Sequence, residues 1–277
     1  MRLAVSTIAL LASASFANAA DLNGSYEYGG STKDGLLIAA TPVWSGLYVG
    51  GHAGYGWGTI DGRQFFCNSD CREGRGELVM STLEHSDVDI DGAFGGGQIG
   101  LNFQHGSIVF GVEGDFSWSD IDGRANGTTE VWSGSNRHHK TWDFELEHFG
   151  TVRGRLGLAR DSALFYVTGG FAWGKVSSNL TAIQDYVDDN IPDLVSGKAS
   201  WDDTLTGWTI GGGLEWMLAP SLTLKAEYLY VDLGSFRINY IGRDLRTDPP
   251  GTWKGESFDG DMDFHTIRVG LNYKFNR

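Results

Sequence analysis

Apolar and polar residues alternate in eight segments of the chain. In the last segment, 262–275, the odd positions from Ile267 to Phe275 are apolar, and the even positions include Arg268 and Lys274. Only an extended strand places odd and even positions on opposite faces. The alternation predicts strands at 44–58, 90–103, 107–120, 143–159, 163–176, 203–218, 221–235 and 262–275.

The connections between these segments alternate in length. Three are tight turns, at 104–106, 160–162 and 219–220, and four are long, at 59–89, 121–142, 177–202 and 236–261. This arrangement is typical of outer-membrane barrels, in which the short turns are periplasmic. Each segment also reaches the roughly 9–11 residues that a tilted strand needs to cross a bilayer. The prediction is an all-β fold, an eight-stranded antiparallel up-and-down transmembrane β-barrel with short periplasmic turns and four long extracellular loops. A soluble β-sandwich or soluble barrel is the alternative, and its apolar face would pack inward.

Aromatic residues cluster near both ends of the predicted strands. A barrel topology sorts them into an inner and an outer girdle, as expected for amphipathic rings at the two membrane interfaces. The inner girdle would contain Trp44, Phe103, Phe165, Trp216, Tyr273 and Phe275, and the outer girdle Trp57, Trp118, Trp173, Trp208, Tyr228 and Tyr230.

Charged residues lie on the opposite, lumen-facing side of the same strands. They are Glu113, Asp115, Arg153, Arg155, Glu215, Lys225, Glu227 and Arg268. An eight-stranded barrel is just wide enough for side chains to fill its interior, and unpaired charges there would be costly. The pattern therefore predicts a salt-bridge network that closes the lumen, with lumen glycines making room for the long side chains. Lys274, close to the periplasmic end, is expected to be solvated.

The N-terminus has the features of a secretory signal peptide over 1–19. Arg2 precedes a short apolar core, and Ala17-Asn18-Ala19 matches a cleavage site. An uncleaved membrane anchor is the alternative. Residues 20–43 would then form a periplasmic N-terminal leader, and 44–277 the barrel domain.

Composition narrows the class of protein. A formal net charge of −14 argues against nucleic-acid binding. The chain has 41 glycines with 10 Trp, 10 Tyr and 15 Phe. Disordered chains lack aromatics, whereas membrane barrels with aromatic girdles contain both.

Few residues suggest a cofactor or catalysis. Cys67 and Cys71 are interpreted as a small disulfide in a polar loop, because a metal site needs more ligands than this pair offers. His138 and His139, assigned to the second long loop, keep haem binding open, although nothing fixes a ligand geometry. His148 and His265 are strand residues with no Ser/His/acid set beside them. We expect no enzyme activity, no metal site and no cofactor.

Four segments resemble one protein family. Residues 44–58, 149–157, 224–234 and 269–275 resemble the first, fourth, seventh and last strands of the porin-like surface-antigen outer-membrane proteins of α-proteobacteria. The resemblance implies an eight-stranded barrel related to the OmpA membrane domain, with roles in envelope integrity, surface exposure and host contact. Some relatives are described as haem-binding or pore-forming. Asn276 and Arg277 depart from the family pattern, in which the chain ends on the aromatic.

The functional expectation is an integral protein of the Gram-negative outer membrane with a structural and surface-interaction role. The expected partners are outer-membrane lipid and lipopolysaccharide, the barrel-assembly machinery during biogenesis, and host or cell-surface ligands that contact the loops. A narrow porin for small solutes is the alternative, and a haem-binding surface protein is the second alternative.

Overall fold

Eight long antiparallel strands close into a barrel in the computed structural model. The strands in chain order are β1 (Gly46–Phe65), β2 (Leu83–His85), β3 (Val88–His105), β4 (Ile108–Val131), β5 (Asn136–Arg160), β6 (Ala163–Tyr186), β7 (Leu194–Ala219), β8 (Leu222–Tyr240), β9 (Arg243–Asp244), β10 (Gly251–Thr252) and β11 (Glu256–Phe275). The three short strands β2, β9 and β10 are additions to the eight. Each long strand pairs with its neighbours in sequence order, and β1 pairs with both β3 and β11, which closes the barrel. The predicted fold class is confirmed.

The structure describes residues 43–65, 83–85, 87–131, 136–186, 194–240, 243–244, 251–252 and 256–275. They belong to one unit, Thr41–Arg277. The predicted signal peptide and leader, and the Cys67–Cys71 pair, lie outside the described residues. In the described part of the chain no helix is both long and apolar enough to span a bilayer.

The tight turns lie where the sequence predicts them. They fall at 106–107, 161–162 and 220–221. Gly106 and Asp161 adopt positive φ angles of 62° and 51°, the left-handed conformation that lets a strand reverse within two residues.

Much of the predicted long loops is strand, which corrects the bounds of these loops: 121–142, 177–202 and 236–261 are mainly strand, and of 59–89 the ends at 59–65 and 88–89 continue the barrel strands. For example, β4 runs to Val131 and β5 begins at Asn136. The 20 residues of β11, tilted as in other membrane barrels, rise roughly 50 Å, about twice the apolar band of such barrels. About half of the barrel wall therefore extends beyond the membrane on the outer side.

The polarity of the wall reverses along each strand. On β11 the outward side chains from Ile267 to Phe275 are apolar and about half exposed, whereas the outward residues Asp259, Asp261 and Asp263 are acidic. The nine residues 267–275 rise roughly 23 Å, close to the height of a membrane-facing band. We call the apolar outer surface at this height, on all eight strands, the lipid band.

Bulges near the top of the lipid band change which residues face inward. On β5 the register shifts between Leu146 and His148, so from the turn end outward the inward positions change from odd (149–155) to even (142–146). On β8 the same change occurs after Leu233, where Gly234 has a φ of 74°. Bulges re-aim side chains and increase the local twist. They allow the outer half of the barrel to keep its apolar side chains inside.

Three layers of side chains fill the barrel interior. An inner apolar cluster at the turn end contains Trp44, Val109, Leu164 and Tyr166. A charged layer comes next. An outer apolar core fills the half that extends beyond the membrane, and its members include Ile60, Val88, Ile90, Phe94, Ile121, Trp142, Phe144, Leu146, Phe149, Val176, Leu180, Leu229, Val231, Leu233, Phe236, Ile238, Phe258, Met262 and Phe264.

Candidate functional site: the charged layer and the barrel wall

All eight predicted lumen charges are buried in the barrel interior, each at most 5% exposed. Glu113 is the centre of the group. Its carboxylate lies 2.5 Å from Arg153 and 2.8 Å from Lys225. Arg155 and Arg268 are 3.6 Å and 3.7 Å away. One carboxylate therefore faces four cations that come from three other strands, β5, β8 and β11.

The remaining acids complete the network. Glu227 pairs with Arg268 and, at 3.0 Å, with Arg153. Asp115 lies 3.1 Å from Arg153 and 3.2 Å from Arg268. At the inner end, Glu215 and Arg155 are 3.0 Å apart.

Neutral side chains also donate hydrogen bonds to the same carboxylates. Tyr48 Oη donates to Glu113 at 2.6 Å, and Tyr166 Oη donates to Glu227 at 2.7 Å. Thr151 donates to Asp115, and Thr223 donates to Glu215, both at 2.5 Å. Buried charges are tolerated when they are both paired and hydrogen-bonded. The four carboxylates meet both conditions.

These two tyrosines were not among the predicted network members. Each depends on an inward glycine of a neighbouring strand. A Cβ at Gly100 would lie 2.2 Å from Tyr48 Oη, and one at Gly213 would lie 2.6 Å from Tyr166 Oη. These two glycines make room for tyrosines rather than for charged chains. The signal was present in the sequence, because both tyrosines share the face of the lumen charges.

Two predictions at the turn end are wrong. Lys274 is not solvated, since it is 2% exposed, its Nζ donates to the carbonyl of Val43, and it lies 5.4 Å from the ring centroid of Trp44. Trp44 is not a girdle residue, because it is fully buried in the inner apolar cluster. Trp44, two residues before β1, lies in the barrel mouth here. A cation–π contact and one carbonyl replace the water that Lys274 would otherwise bind.

The other predicted girdle aromatics point outward from the wall. Trp118 is 67% exposed, and the remainder are half-buried to exposed. Two histidines that the sequence analysis left unassigned join the outer girdle. His265 stacks on Trp57 and shares a hydrogen bond of 2.7 Å with Tyr228 Oη, and His148 packs on Phe116. Both histidines are therefore amphipathic side chains at the edge of the lipid band.

Above the outer girdle the wall is acidic. We call the outward residues Asp61, Asp87, Asp89, Asp91, Asp120, Asp122, Asp143, Glu145, Glu147, Asp202, Asp232, Asp259, Asp261 and Asp263 the acidic wall. Asp61 is directly opposite Asp261, and Asp232 is opposite Asp263. Burial raises the pKa of the Asp263 carboxyl, and the nearby Asp61 raises it further. Among the described residues, no three His, Cys, Asp or Glu side chains are grouped as a metal site.

The histidines considered for haem binding lie on a strand rather than in a loop. His138 and His139 belong to β5 and pair with Thr129 and Thr128 of β4. This corrects their assignment to the second long loop. Their side chains lie outside the described part of the structure, so the haem-binding hypothesis is not supported by any ligand geometry.

Comparison with known proteins decides the family. The model of the outer membrane protein β-barrel domain matches residues 6–275. The chain belongs to this family. A 31 kDa outer-membrane immunogenic protein of Brucella melitensis is 36% identical over 243 residues, which cover 85% of this chain and 87% of that protein. A 22 kDa outer membrane protein of Rhizobium leguminosarum is 30% identical, covering 65% of this chain and 66% of that protein.

A solved barrel from the same membrane gives a distant structural match. The outer membrane protein OprG of Pseudomonas aeruginosa matches with a TM-score of 0.45 and 11% identity, covering 84% of this chain and 97% of that chain. With its family established, this barrel is a protein of the outer membrane. The expected resemblance to α-proteobacterial outer-membrane antigens is confirmed by the Brucella and Rhizobium relatives.

Proposed function

We propose that this outer-membrane barrel is a non-conducting, non-catalytic anchor that presents its acidic wall and outer loops at the cell surface. The observation that carries the proposal is the layered interior. The charged layer lies between the inner apolar cluster and the outer apolar core, so an ion that follows the barrel axis would meet two apolar barriers.

The charged layer itself also opposes conduction. Its four carboxylates and four cations neutralise one another, and each carboxylate is paired at about 3 Å or less. Opening a water-filled path would separate these ions or leave some of them unpaired, at a cost of several kcal/mol per ion. A narrow porin is therefore the weaker proposal.

The names of the relatives support a surface role. The Brucella melitensis protein is described as an outer-membrane immunogenic protein, a description compatible with exposure on the cell. For this chain, surface exposure fits the half of the barrel that extends beyond the lipid band. The proposal that it is not an enzyme takes account of one buried serine–histidine pair, in which His52 Nε2 lies 2.8 Å from Ser117 Oγ. The other ring nitrogen of His52 faces Gln98 Oε1 rather than a carboxylate, and Ser117 is fully buried in the barrel interior, so the pair lacks both the acid and the access that a hydrolase needs.

Planar-bilayer recordings of the purified protein test the closed lumen. We expect no large, stable ohmic steps, because side chains fill the lumen at three heights. A general porin recorded in the same bilayers is the control for sensitivity. Faster migration of the unboiled protein in electrophoresis shows that the sample is a folded barrel. Large, stable steps from the folded monomer would overturn the proposal in favour of the porin.

A further inference from the structure

An open apolar groove lies in the lipid band near the tight turns. Its volume is about 580 Å³. The walls are the outward side chains Ile108, Leu156, Leu158, Phe165 and Val167. The groove crosses β4, β5 and β6 close to the turns at 106–107 and 161–162. It therefore opens to acyl chains of the leaflet on the turn side.

Two rows of tall side chains form the groove. Leu158 pairs with Ile108 on one side and with Phe165 on the other, and one step higher Leu156 pairs with Val167. The floor is the backbone of the wall at Gly157, Tyr166 and Gly213, whose side-chain positions all face the lumen. Tyr166, the third floor residue, turns its ring into the lumen, where Oη donates to Glu227. The groove is thus the space between the two rows, above a row of inward-facing residues that are paired with one another.

A cation lies on the turn side of the groove, beyond the row that contains Leu158. Arg160 is two residues after Leu158 on β5, so both side chains leave the outer face of the wall. Arg160 is exposed and forms no ion pair with any residue that the structure describes. Asp161 follows it in the turn, with an exposed carboxylate.

We propose that the groove binds one acyl chain of a glycerophospholipid and that Arg160 binds the phosphate of the same lipid. The groove is continuous with the lipid band, so the groove must accept hydrocarbon. Inside a membrane, affinity comes from close packing rather than from hydrophobic transfer. An acyl chain in the groove contacts protein on three sides, whereas an acyl chain on the flat wall contacts it on one. The additional van der Waals contacts are individually weak, but together they favour the groove.

Charge and size agree with this occupant. A basic side chain at a membrane surface attracts an anionic headgroup by about 1 kcal/mol. A volume of about 580 Å³ also falls in the range of roughly 300–1,000 Å³ of ordinary ligand pockets. A second copy of the barrel could occupy the groove only by inserting a ridge of complementary shape into it.

Native mass spectrometry of the detergent-released protein, titrated with phosphatidylglycerol, tests the site. Leu156→Trp fills the groove from an exposed position. Val269→Trp, on β11 at the opposite side of the barrel, is its matched control, because Val269 is 55% exposed on the same lipid band. Arg160→Gln removes the cation, and Arg124→Gln, at the far end of the wall, is its control.

We expect the wild-type barrel to retain one phospholipid. Leu156→Trp should weaken retention by about tenfold or more, because the groove loses its packing contacts, and Arg160→Gln should weaken it by about fivefold. Both controls should leave it unchanged. Equal retention by Leu156→Trp and Val269→Trp, or a dimer signal that only Leu156→Trp abolishes, would overturn the proposal. Unboiled-band electrophoresis shows that each variant has folded, and Arg160→Gln tests the site even if the tryptophan variant does not fold.

Discussion

Replacing Glu113 with glutamine is expected to destabilise the barrel by about 3–5 kcal/mol, the usual cost of removing one partner from a buried ion group. Glutamine has nearly the same shape, so the loss comes from charge and not from a cavity. Without the carboxylate, Arg153 and Lys225 lose their closest shared anion. The layer is then left with four cations and three anions.

Urea unfolding of the protein refolded in lipid vesicles measures this loss, with the unboiled band as the signal of the folded state. The double variant Glu113→Gln/Lys225→Met is the control, because it restores the balance of three anions and three cations. We expect it to recover a large part of the lost stability, since paired deletions in a buried network are not additive. If Glu113→Gln were as stable as the wild type, water rather than protein charges would have to surround the charged groups of the folded barrel.

Replacing Phe258 with alanine is expected to cost about 3–5 kcal/mol of folding free energy, although the residue lies outside the lipid band. Phe258 is fully buried, and its ring centroid lies 5.1 Å from that of Trp142 and 5.4 Å from that of Phe144. Truncation would leave a cavity in the outer apolar core. If 236–261 were a solvated loop, as the sequence analysis predicted, the change would have almost no effect.

The matched control for this variant is Phe171→Ala. Phe171 is also a strand phenylalanine, but it is 50% exposed on the lipid band. Lipid tails can fill the space that its ring leaves, so we expect a loss of about 1 kcal/mol or less. The same urea titration serves both variants. Similar losses for the two would contradict a packed core in the outer half of the barrel.

The membrane-spanning half of the fold could be predicted from the sequence because one rule holds throughout it. From Ile267 to Phe275, apolar residues face out and polar residues face in, and the tight turns are marked by glycine, serine and aspartate. The lumen charges follow from the same rule, since on each strand a charge that alternates with the outward apolar residues must point inward.

The outer half was missed because the rule reverses there. Phe258, Met262 and Phe264 alternate with aspartates just as regularly as the spanning segments alternate, but the apolar face is now inside. An acid-rich segment whose apolar residues face inward does not match the membrane-spanning pattern, so it was assigned as a solvated loop. The bulges at Leu146 and Gly234 change the parity again, and no local residue preference marks the first of them.

The errors at the turn end have a different cause. Trp44 precedes β1, so strand parity does not determine its direction. The position of Trp44 depends on the mouth of the barrel, where Lys274, Val109 and Leu164 leave space for a large ring. Such a contact joins residues far apart in the chain and has no local pattern.

The reversal of polarity along one strand is the claim on which the account depends most. Spin labels at Val269→Cys and Asp261→Cys, each in a Cys67→Ser/Cys71→Ser background, test it in reconstituted vesicles. Both positions face outward on β11, and they are eight residues apart along the strand. We predict that the label at 269 is relaxed by oxygen and protected from a water-soluble nickel complex, and that the label at 261 shows the opposite. Equal access of the nickel complex to both labels would contradict the account.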